Sequence, residues 1–343
     1  MGEMKKKLAL KDIAAALKVS EASVSYVLNG KARQYGISVA LENKILRFVE
    51  KVGYRPNRLA ASLRTGKSKT VGMIVEDISD PFFSAIARVV EEHIYKEGYR
   101  VIYGSSENST VIARDLLQTF KNYQVDGYIL APTAGLEDDI NQLVKEGYPV
   151  VVFDRASPDL QCSKVLVDNF RGSETAVLHL IDNGFRNIAM VTLAAGQDQM
   201  NERVNGYHAA LQKHGLPPIL KEIIYNEDPH KTVQNLKSLL KSKKDIDAIF
   251  FATNYLALSG LQALKESGLI IARDIGVAVF DDINNFALFN PAITAVAQPI
   301  KEIGLRVTKI LLEELQDNHM IDSQNILLKT KLIIRDSSAR LLV

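Results

Sequence analysis

Between residues 10 and 29, LKDIAAALKVSEASVSYVLN, the apolar positions fall at helical spacing in two short blocks. Ile13, Ala14 and Leu17 share one face of a first helix; Val24, Val27 and Leu28 share one face of a second. Lys18-Val19-Ser20 separates them. Ser20 is placed as an N-cap, its hydroxyl accepting an otherwise orphaned N–H of the helix that follows. Small residues (Ala14, Ala15, Ala22, Ser23) stand where two helices must cross closely. That is the layout of a helix-turn-helix whose second helix can enter a DNA major groove. An amphipathic helical hairpin with no DNA role has the same pattern. A polar, glycine-bounded loop, GKARQYGIS, leads to Leu41, Ile45, Phe48, Val49 and Val52, which predict a third helix over 39–52 ended by Gly53. Pro56 then opens a basic stretch to Gly66, either a plain linker or two helical turns too short to be stable alone.

From Thr70 the pattern changes. Apolar runs (VGMIV, VIYGS, GYIL, VVVFD, then IAMVTL at 188–193, EIIY at 222–225, AIFFAT at 248–253 and GVAVF at 276–280) alternate with helical periodicity. Such alternation predicts βαβ units and doubly wound parallel sheets. Two sheets in tandem make a two-lobed body with a cleft between the lobes. No GxGxxG follows a strand and no GxxxxGK[ST] occurs, so dinucleotide and P-loop chemistry lose their support.

The 343 residues, 47% hydrophobic, suffice for two or three domains with large cores. The net charge of +2 conceals an asymmetry: residues 1–69 carry 15 Lys and Arg against 5 Asp and Glu, a net of +10, and residues 70–343 carry 27 against 35, a net of −8. A basic head on an acidic body is the electrostatic footprint of a nucleic-acid reader attached to something else. A membrane-binding head is the alternative, but it needs a long amphipathic helix with aromatic anchors, which this stretch lacks. Cys162 is the sole cysteine, so neither a disulfide framework nor a cysteine metal site is expected. The start, MGEMKKKLALKD, lacks a secretory apolar run, and Lys6 stands where a myristoylation pattern needs Ser or Thr. No apolar run is long enough to span a membrane. The expectation is a cytoplasmic protein with no cofactor and no metal.

The residues resemble a known family. Lys11-Asp12-Ile13-Ala14, Val19-Ser20, Ser23-Val24-Ser25, Val27-Leu28-Asn29, Gly53-Tyr54-Arg55-Pro56-Asn57 and Ala60 with Ser62-Leu63 resemble the head of lactose-repressor/galactose-repressor (LacI/GalR) transcription factors. The body is similar too: Gly72-Met73-Ile74-Val75, Asp80-Pro81-Phe82-Phe83, Val125-Asp126-Gly127, Phe153-Asp154-Arg155, Val167-Asp168-Asn169, Arg203-Val204-Asn205-Gly206-Tyr207, Phe280-Asp281-Asp282, Pro291-Ala292-Ile293-Thr294, Gln298-Pro299 and Leu332-Ile333-Ile334-Arg335-Asp336-Ser337. The motifs cover almost the entire chain in the family's order and spacing. The resemblance implies an all-α helix-turn-helix head (1–55), a hinge (56–69), and an α/β core (70–343) of two doubly wound parallel-sheet lobes like a periplasmic binding protein. The family's strands cross between lobes three times. The N-terminal lobe is therefore expected over about 70–166 and 299–325, and the C-terminal lobe over about 167–298 and 326–343.

The resemblance also implies roles. Glu21, Ala22 and Tyr26 match the family's base-reading positions, and the chemistry agrees: a carboxylate for cytosine N4, a methyl for thymine, a hydroxyl for either partner. Ser20, Ser23, Ser25 and Asn29 are phosphate-contact candidates, which position without specifying. Lys18 departs from the small residue usual in the family's turn, and the loop Lys31–Ser38 is longer than usual. Asn57, Arg58 and Arg64 are hinge contacts. Leu63 matches the leucine wedged into the minor groove at the operator centre, its alternative being a core residue of the linker; unstacking one step costs a few kcal/mol, offset by closer contact with bent DNA.

Effector candidates sit past the C-terminal ends of strands, where open α/β sheets bind ligands: Asp77 and the Asp80-Pro81-Phe82-Phe83 turn after the first, Asp154 and Arg155 after the fourth, Asn254 with Tyr255 and Asp281 in the second lobe. Arg203 matches the family's ligand-gripping arginine. Vicinal sugar hydroxyls suit Asp and Arg, and sugar ring faces suit Phe. Many members have Asn-Asp where this chain has Asn254-Tyr255; Tyr255 either stacks on a ligand or packs. The expectation is a dimeric, effector-controlled repressor of a pseudo-palindromic duplex operator, with no tetramerising tail after the last strand. Control by a corepressor or partner protein is the alternative. A solute-binding protein shares the core but not the basic head. An enzyme would need a catalytic set, and the six histidines are scattered without HExxH spacing, nor is there a GxSxG elbow.

Overall fold

The computed structural model describes residues 8–54, 66–194, 196–225, 228–316 and 322–340. The chain divides into two compact units, Met1–Ser68 and Lys69–Val343. In the first, α1 (Leu10–Leu17), α2 (Glu21–Leu28) and α3 (Val39–Val52) enclose a small core centred on the fully buried Ile13, Val24 and Ile45. The turn between α1 and α2 passes through Lys18 at φ 55°, ψ 47°. A non-glycine residue there costs about 1 kcal/mol, and the turn is held by the Lys18 amide donating to the Ala15 carbonyl and the Val19 amide to that of Ala14. Ser38 caps the start of α3 and Gly53, at φ 62°, ends it. The long loop before α3 is packed rather than loose: Ala32 is 1% exposed and joins the core. Asn57, Arg58, Leu63 and Arg64 lie outside the described residues.

The second unit begins with β1 (Thr70–Val75), α4 (Pro81–Lys96), β2 (Arg100–Ser105), α5 (Thr110–Asn122), β3 (Gly127–Leu130), α6 (Glu137–Lys145), β4 (Val150–Phe153) and β5 (Ser163–Val167). The chain then crosses to a second lobe: α7 (Asn169–Asp182), β6 (Ile188–Leu193), α8 (Asp198–Lys213), β7 (Ile219–Ile223), α9 (Pro229–Ser242), β8 (Ala248–Phe251), α10 (Asn254–Glu266), β9 (Gly276–Phe280) and β10 (Thr294–Ala297). It returns for α11 (Ile300–Gln316) and β11 (Asn325–Leu328), and crosses again for β12 (Lys331–Ile333). The first sheet runs β11-β5-β4-β3-β1-β2 with parallel pairing; the second runs β12-β10-β9-β8-β6-β7, parallel except for the antiparallel β10–β12 pair. Central strands such as Val150–Phe153 and Ala248–Phe251 are buried on both faces, as helix-covered parallel sheets require.

Three details differ from the sequence expectations. The last crossing comes after Leu328, not after residue 325, because β11 pairs with β5 from Asn325↔Lys164 to Leu328↔Val167. The strand expected at 222–225 begins earlier, at Ile219. Pro217 and Pro218 cannot donate to a ladder, so pairing with β6 starts immediately after them. The short or half-buried strands β5, β10, β11 and β12 lack the continuous apolar runs that mark the others.

Helices α7 and α8 pack unusually close. A Cβ on Gly206 would lie 2.2 Å from the Phe170 carbonyl oxygen and 2.9 Å from Ser173 Cβ. This contact sets the depth at which α8 carries Arg203 beside Asn169 of α7.

Candidate functional site

In the first unit, Glu21 and Ala22 of α2 are exposed. Ser20 accepts from the Ser23 amide at 3.1 Å, and their hydroxyls share a hydrogen bond of 2.8 Å. Asn29 donates through Nδ2 to the Ser25 carbonyl at 2.8 Å and to Ser25 Oγ at 3.3 Å. These four polar residues therefore line both ends of α2 in a preset arrangement. Tyr26 is half-buried, its ring stacked on that of Tyr35.

In the second unit, residues from both lobes converge on one cleft. Phe82, Phe83, Asp154, Arg155, Arg203, Asn254, Tyr255 and Asp281 all line it. Asp77 does not: its carboxylate accepts from the amide and hydroxyl of Ser79, both at 2.8 Å, and stabilises the turn before α4. Asp80, three residues on, is the carboxylate that faces the cleft, together with Glu76, Gln197, Gln199 and Gln298. Asp80 and Gln298 belong to motifs visible in the sequence; Glu76, directly after β1, has the same strand-end position as Asp154, while Gln197 and Gln199 carry no local signal.

Strand ends aim these groups. Asp154 (φ 68°) and Asp281 (φ 74°) both follow a strand in the left-handed region, which non-glycine residues rarely occupy. Aspartate tolerates it better than most residues, and the sharp turn directs each carboxylate across the end of its sheet. Arg203, 2% exposed, is held through Nε and Nη1. Its Nε donates to Asn169 Oδ1 at 2.9 Å, and its Nη1 donates to the Ala252 carbonyl at 2.7 Å and Asp281 Oδ2 at 3.1 Å. The guanidinium lies 3.7 Å from the Phe280 ring centroid. Gln298 Nε2 donates to the other Asp281 oxygen at 2.6 Å. Burial pushes the Asp281 carboxyl up, and Arg203 and Gln298 pull it back.

Arg155 is equally engaged. It donates to Asp154 Oδ2 at 3.1 Å, to Asn108 Oδ1 at 3.2 Å and to Glu76. Its burial disfavours the charge, but Asp154 and Glu76 outweigh that and hold the guanidinium protonated. Bonds bridge the lobes: Gln197 Nε2 donates to Asn108 Oδ1 at 2.8 Å, Asn254 Nδ2 to Asp80 Oδ1 at 3.4 Å, and the Tyr225 hydroxyl pairs with Glu76. Burial raises the Asp80 carboxyl to about 6; the Phe82 amide lowers it, and the charges of Asp281 and Glu76 raise it further. Burial also lifts the Tyr255 hydroxyl well above its usual range, so it stays neutral. Gln199 Oε1 and Gln298 Oε1 are buried in the wall without a hydrogen-bond partner among the described residues. The free space at the centre is about 40 Å³, room for little more than water.

A larger open groove of about 680 Å³ runs along α11, but only Pro299–Lys309 lines it, so it brings no separate elements together. Among the described residues, no group of three or more His, Cys, Asp or Glu is placed to hold a metal ion, and no helix is long and apolar enough to cross a membrane.

Comparison with known proteins places both units. Residues 9–57 match the family model "Bacterial regulatory proteins, lacI family", and residues 177–338 match "Periplasmic binding protein-like domain". Catabolite control protein A of Priestia megaterium is 30% identical over 330 residues, 95% of this chain and 98% of that protein. A LacI family transcriptional regulator from Enterococcus faecium, solved with bound ribose, is 29% identical with a TM-score of 0.71, covering 80% of this chain and 100% of that one. The lac repressor dimer bound to operator has a TM-score of 0.82 at 22% identity over 97% of this chain and 100% of that one, a likeness of fold. Near-complete coverage at this identity, with helix-turn-helix and two-lobed core in the same order, leaves no room for an enzyme: the chain belongs to the lacI family of bacterial regulatory proteins and is a DNA-binding transcriptional regulator.

Proposed function

We propose that this regulator is a cytoplasmic homodimeric repressor whose paired heads read a pseudo-palindromic operator and whose operator affinity is set by a small sugar in the interlobe cleft. The convergence of Asp80, Phe82 and Arg155 from one lobe with Arg203, Asn254 and Asp281 from the other carries the proposal. Aspartate and arginine pair with vicinal hydroxyls, and the phenylalanine rings offer an apolar face. Gln199 Oε1 and Gln298 Oε1 are ready acceptors for hydroxyl donors. Ribose in the Enterococcus relative agrees with this chemistry; with about 40 Å³ free at the centre, a sugar enters by parting the lobes.

On the DNA side, Glu21, Ala22 and Tyr26 read bases, while Ser20, Ser23, Ser25 and Asn29 position the helix on phosphates. Asn57, Arg58 and Arg64 contact DNA from the hinge, and Leu63 wedges into the minor groove. A ligand that shifts the lobes alters the Gln197–Asn108 and Asn254–Asp80 bridges. Coupling of about 1–3 kcal/mol between cleft and operator would change DNA affinity roughly 5–150-fold.

The test is thermal melting of the purified chain against sugars, sugar phosphates and nucleobases. A ligand at 100 times its dissociation constant adds about 2.7 kcal/mol. A monosaccharide hit that also changes operator affinity supports the proposal. A silent panel, with operator binding intact, turns it toward control by a corepressor or partner protein. A tetramer at micromolar concentration in light scattering refutes the dimer.

A further inference from the structure

The loop between α2 and α3 is built to hold one ring against another. The rings of Tyr26 and Tyr35 lie 3.6 Å apart at 4° between planes. Tyr26 sits on α2 and Tyr35 on the loop, where it is 50% exposed. The loop is not free to drift. The Lys31 amide donates to the Tyr26 carbonyl at 2.8 Å, tying the loop's start to the residue its ring covers. The Ile37 amide donates to the Ala32 carbonyl at 2.9 Å and the Tyr35 amide to the Lys31 carbonyl at 3.3 Å. Ala32, 1% exposed, plugs the loop into the core of the three helices, and glycines at φ 69° and 66° (Gly30 and Gly36) supply the turns at its ends.

A tyrosine on the outer face of a helix ordinarily samples several staggered rotamers. A ring that moves between rotamers contacts more than one base and discriminates poorly. Stacking on a ring with a rigid support keeps one orientation and leaves the Tyr26 hydroxyl and edge to meet a base. We propose that Tyr35 is a positioning residue for base recognition, and that Tyr26 reads DNA selectively only with the Tyr35 ring behind it. The proposal rests on α2 being the recognition helix.

The test uses the full chain and a duplex that the wild-type protein selects from a randomised pool, with a random duplex as reference. The readout is the ratio of the two affinities. Tyr35→Ala is expected to lower the ratio about tenfold, the scale of one base contact, by weakening the selected duplex while the random one is unchanged. Tyr35→Phe retains the ring and the ratio. In a Tyr26→Ala background, Tyr35→Ala has no further effect, because it acts through Tyr26. If Tyr35→Ala disturbs the head, seen as weaker binding to the random duplex, Tyr35→Leu keeps the bulk without a flat ring and carries the same expectation. An unchanged ratio in Tyr35→Ala alongside a loss in Tyr26→Ala overturns the proposal, as does an additive loss in the double variant, which makes Tyr35 a DNA contact in its own right. Unchanged ratios in both Tyr26→Ala and Glu21→Ala overturn it differently, by removing α2 as the reader.

Discussion

Replacing Asp80 with asparagine takes one carboxylate out of a cleft that also holds Glu76, Asp154 and Asp281. Asn is nearly isosteric with Asp and is an equally good N-cap, so the bond that Asp80 Oδ1 accepts from the Phe82 amide at 2.7 Å survives. What changes is charge. The Asp80 carboxyl is raised from 3.8 to about 6 in the folded chain, first by burial. The folded state therefore binds the proton more tightly than the unfolded chain. The stabilisation this gives is complete below about pH 4 and is lost as pH rises through 6. At about 1.36 kcal/mol per unit, holding Asp80 ionised above pH 6 opposes folding by at most about 3 kcal/mol. Asp80→Asn should thus stabilise the sugar-free chain by up to about 3 kcal/mol at neutral pH and progressively less toward pH 4. Urea denaturation followed by circular dichroism at several pH values measures this directly. A variant no more stable than the parent at pH 7.5, or one whose advantage does not shrink on acidification, would refute the assignment of Asp80 as a burdened buried acid.

The same carboxylate should make ligand affinity depend on pH. Sugar hydroxyls donating to Asp80 favour its ionised form, so titration calorimetry should find tighter binding at pH 7 than at pH 5, and the slope should vanish in Asp80→Asn. Arg203→Ala strands Asp281 without its buried partner. It should cost about 3–5 kcal/mol of stability and abolish any sugar-induced rise in melting temperature. Gly206→Ala pushes a methyl into the Phe170 carbonyl, a backbone atom that cannot swing away. A loss above about 3 kcal/mol is expected, read as a lower denaturation midpoint; a wild-type midpoint would mean α7 and α8 can separate freely. Leu63→Ala should weaken binding to the selected operator and barely change binding to random DNA, and equal losses by fluorescence anisotropy would remove the proposed wedge.

Local patterns carried far into this protein. The bounds of α3 were legible because both determinants are local: Ser38 Oγ accepts from the Leu41 amide, and Gly53 takes the left-handed cap. The central strands announced themselves because a sheet covered on both faces needs uninterrupted apolar runs. The short strands β5, β10, β11 and β12 did not. Asn325–Leu328 is half exposed, and only its ladder with β5 assigns it to the first lobe.

The cleft divides along the same line. Strand-end residues such as Asp154, Arg155 and Asp281 could be picked out by position, since parallel sheets leave their C-terminal ends open to ligands. Asp77 and Asp80 share one turn, and nothing in their spacing says which faces inward; the start of α4 decides that by engaging Asp80 as its cap. Tyr35 lay in a stretch readable only as a polar loop, and its contact with Tyr26 exists because Ala32 anchors that loop in the core. The helices, the central strands, the family and the charge that marks the DNA-reading head were legible along the chain, because each depends on residues near one another or on their sum. Tertiary structure alone decided which polar groups satisfy one another, which acceptors stay unpartnered and which ring supports which, because hydrogen bonds and packing depend on distances in space that no local spacing encodes.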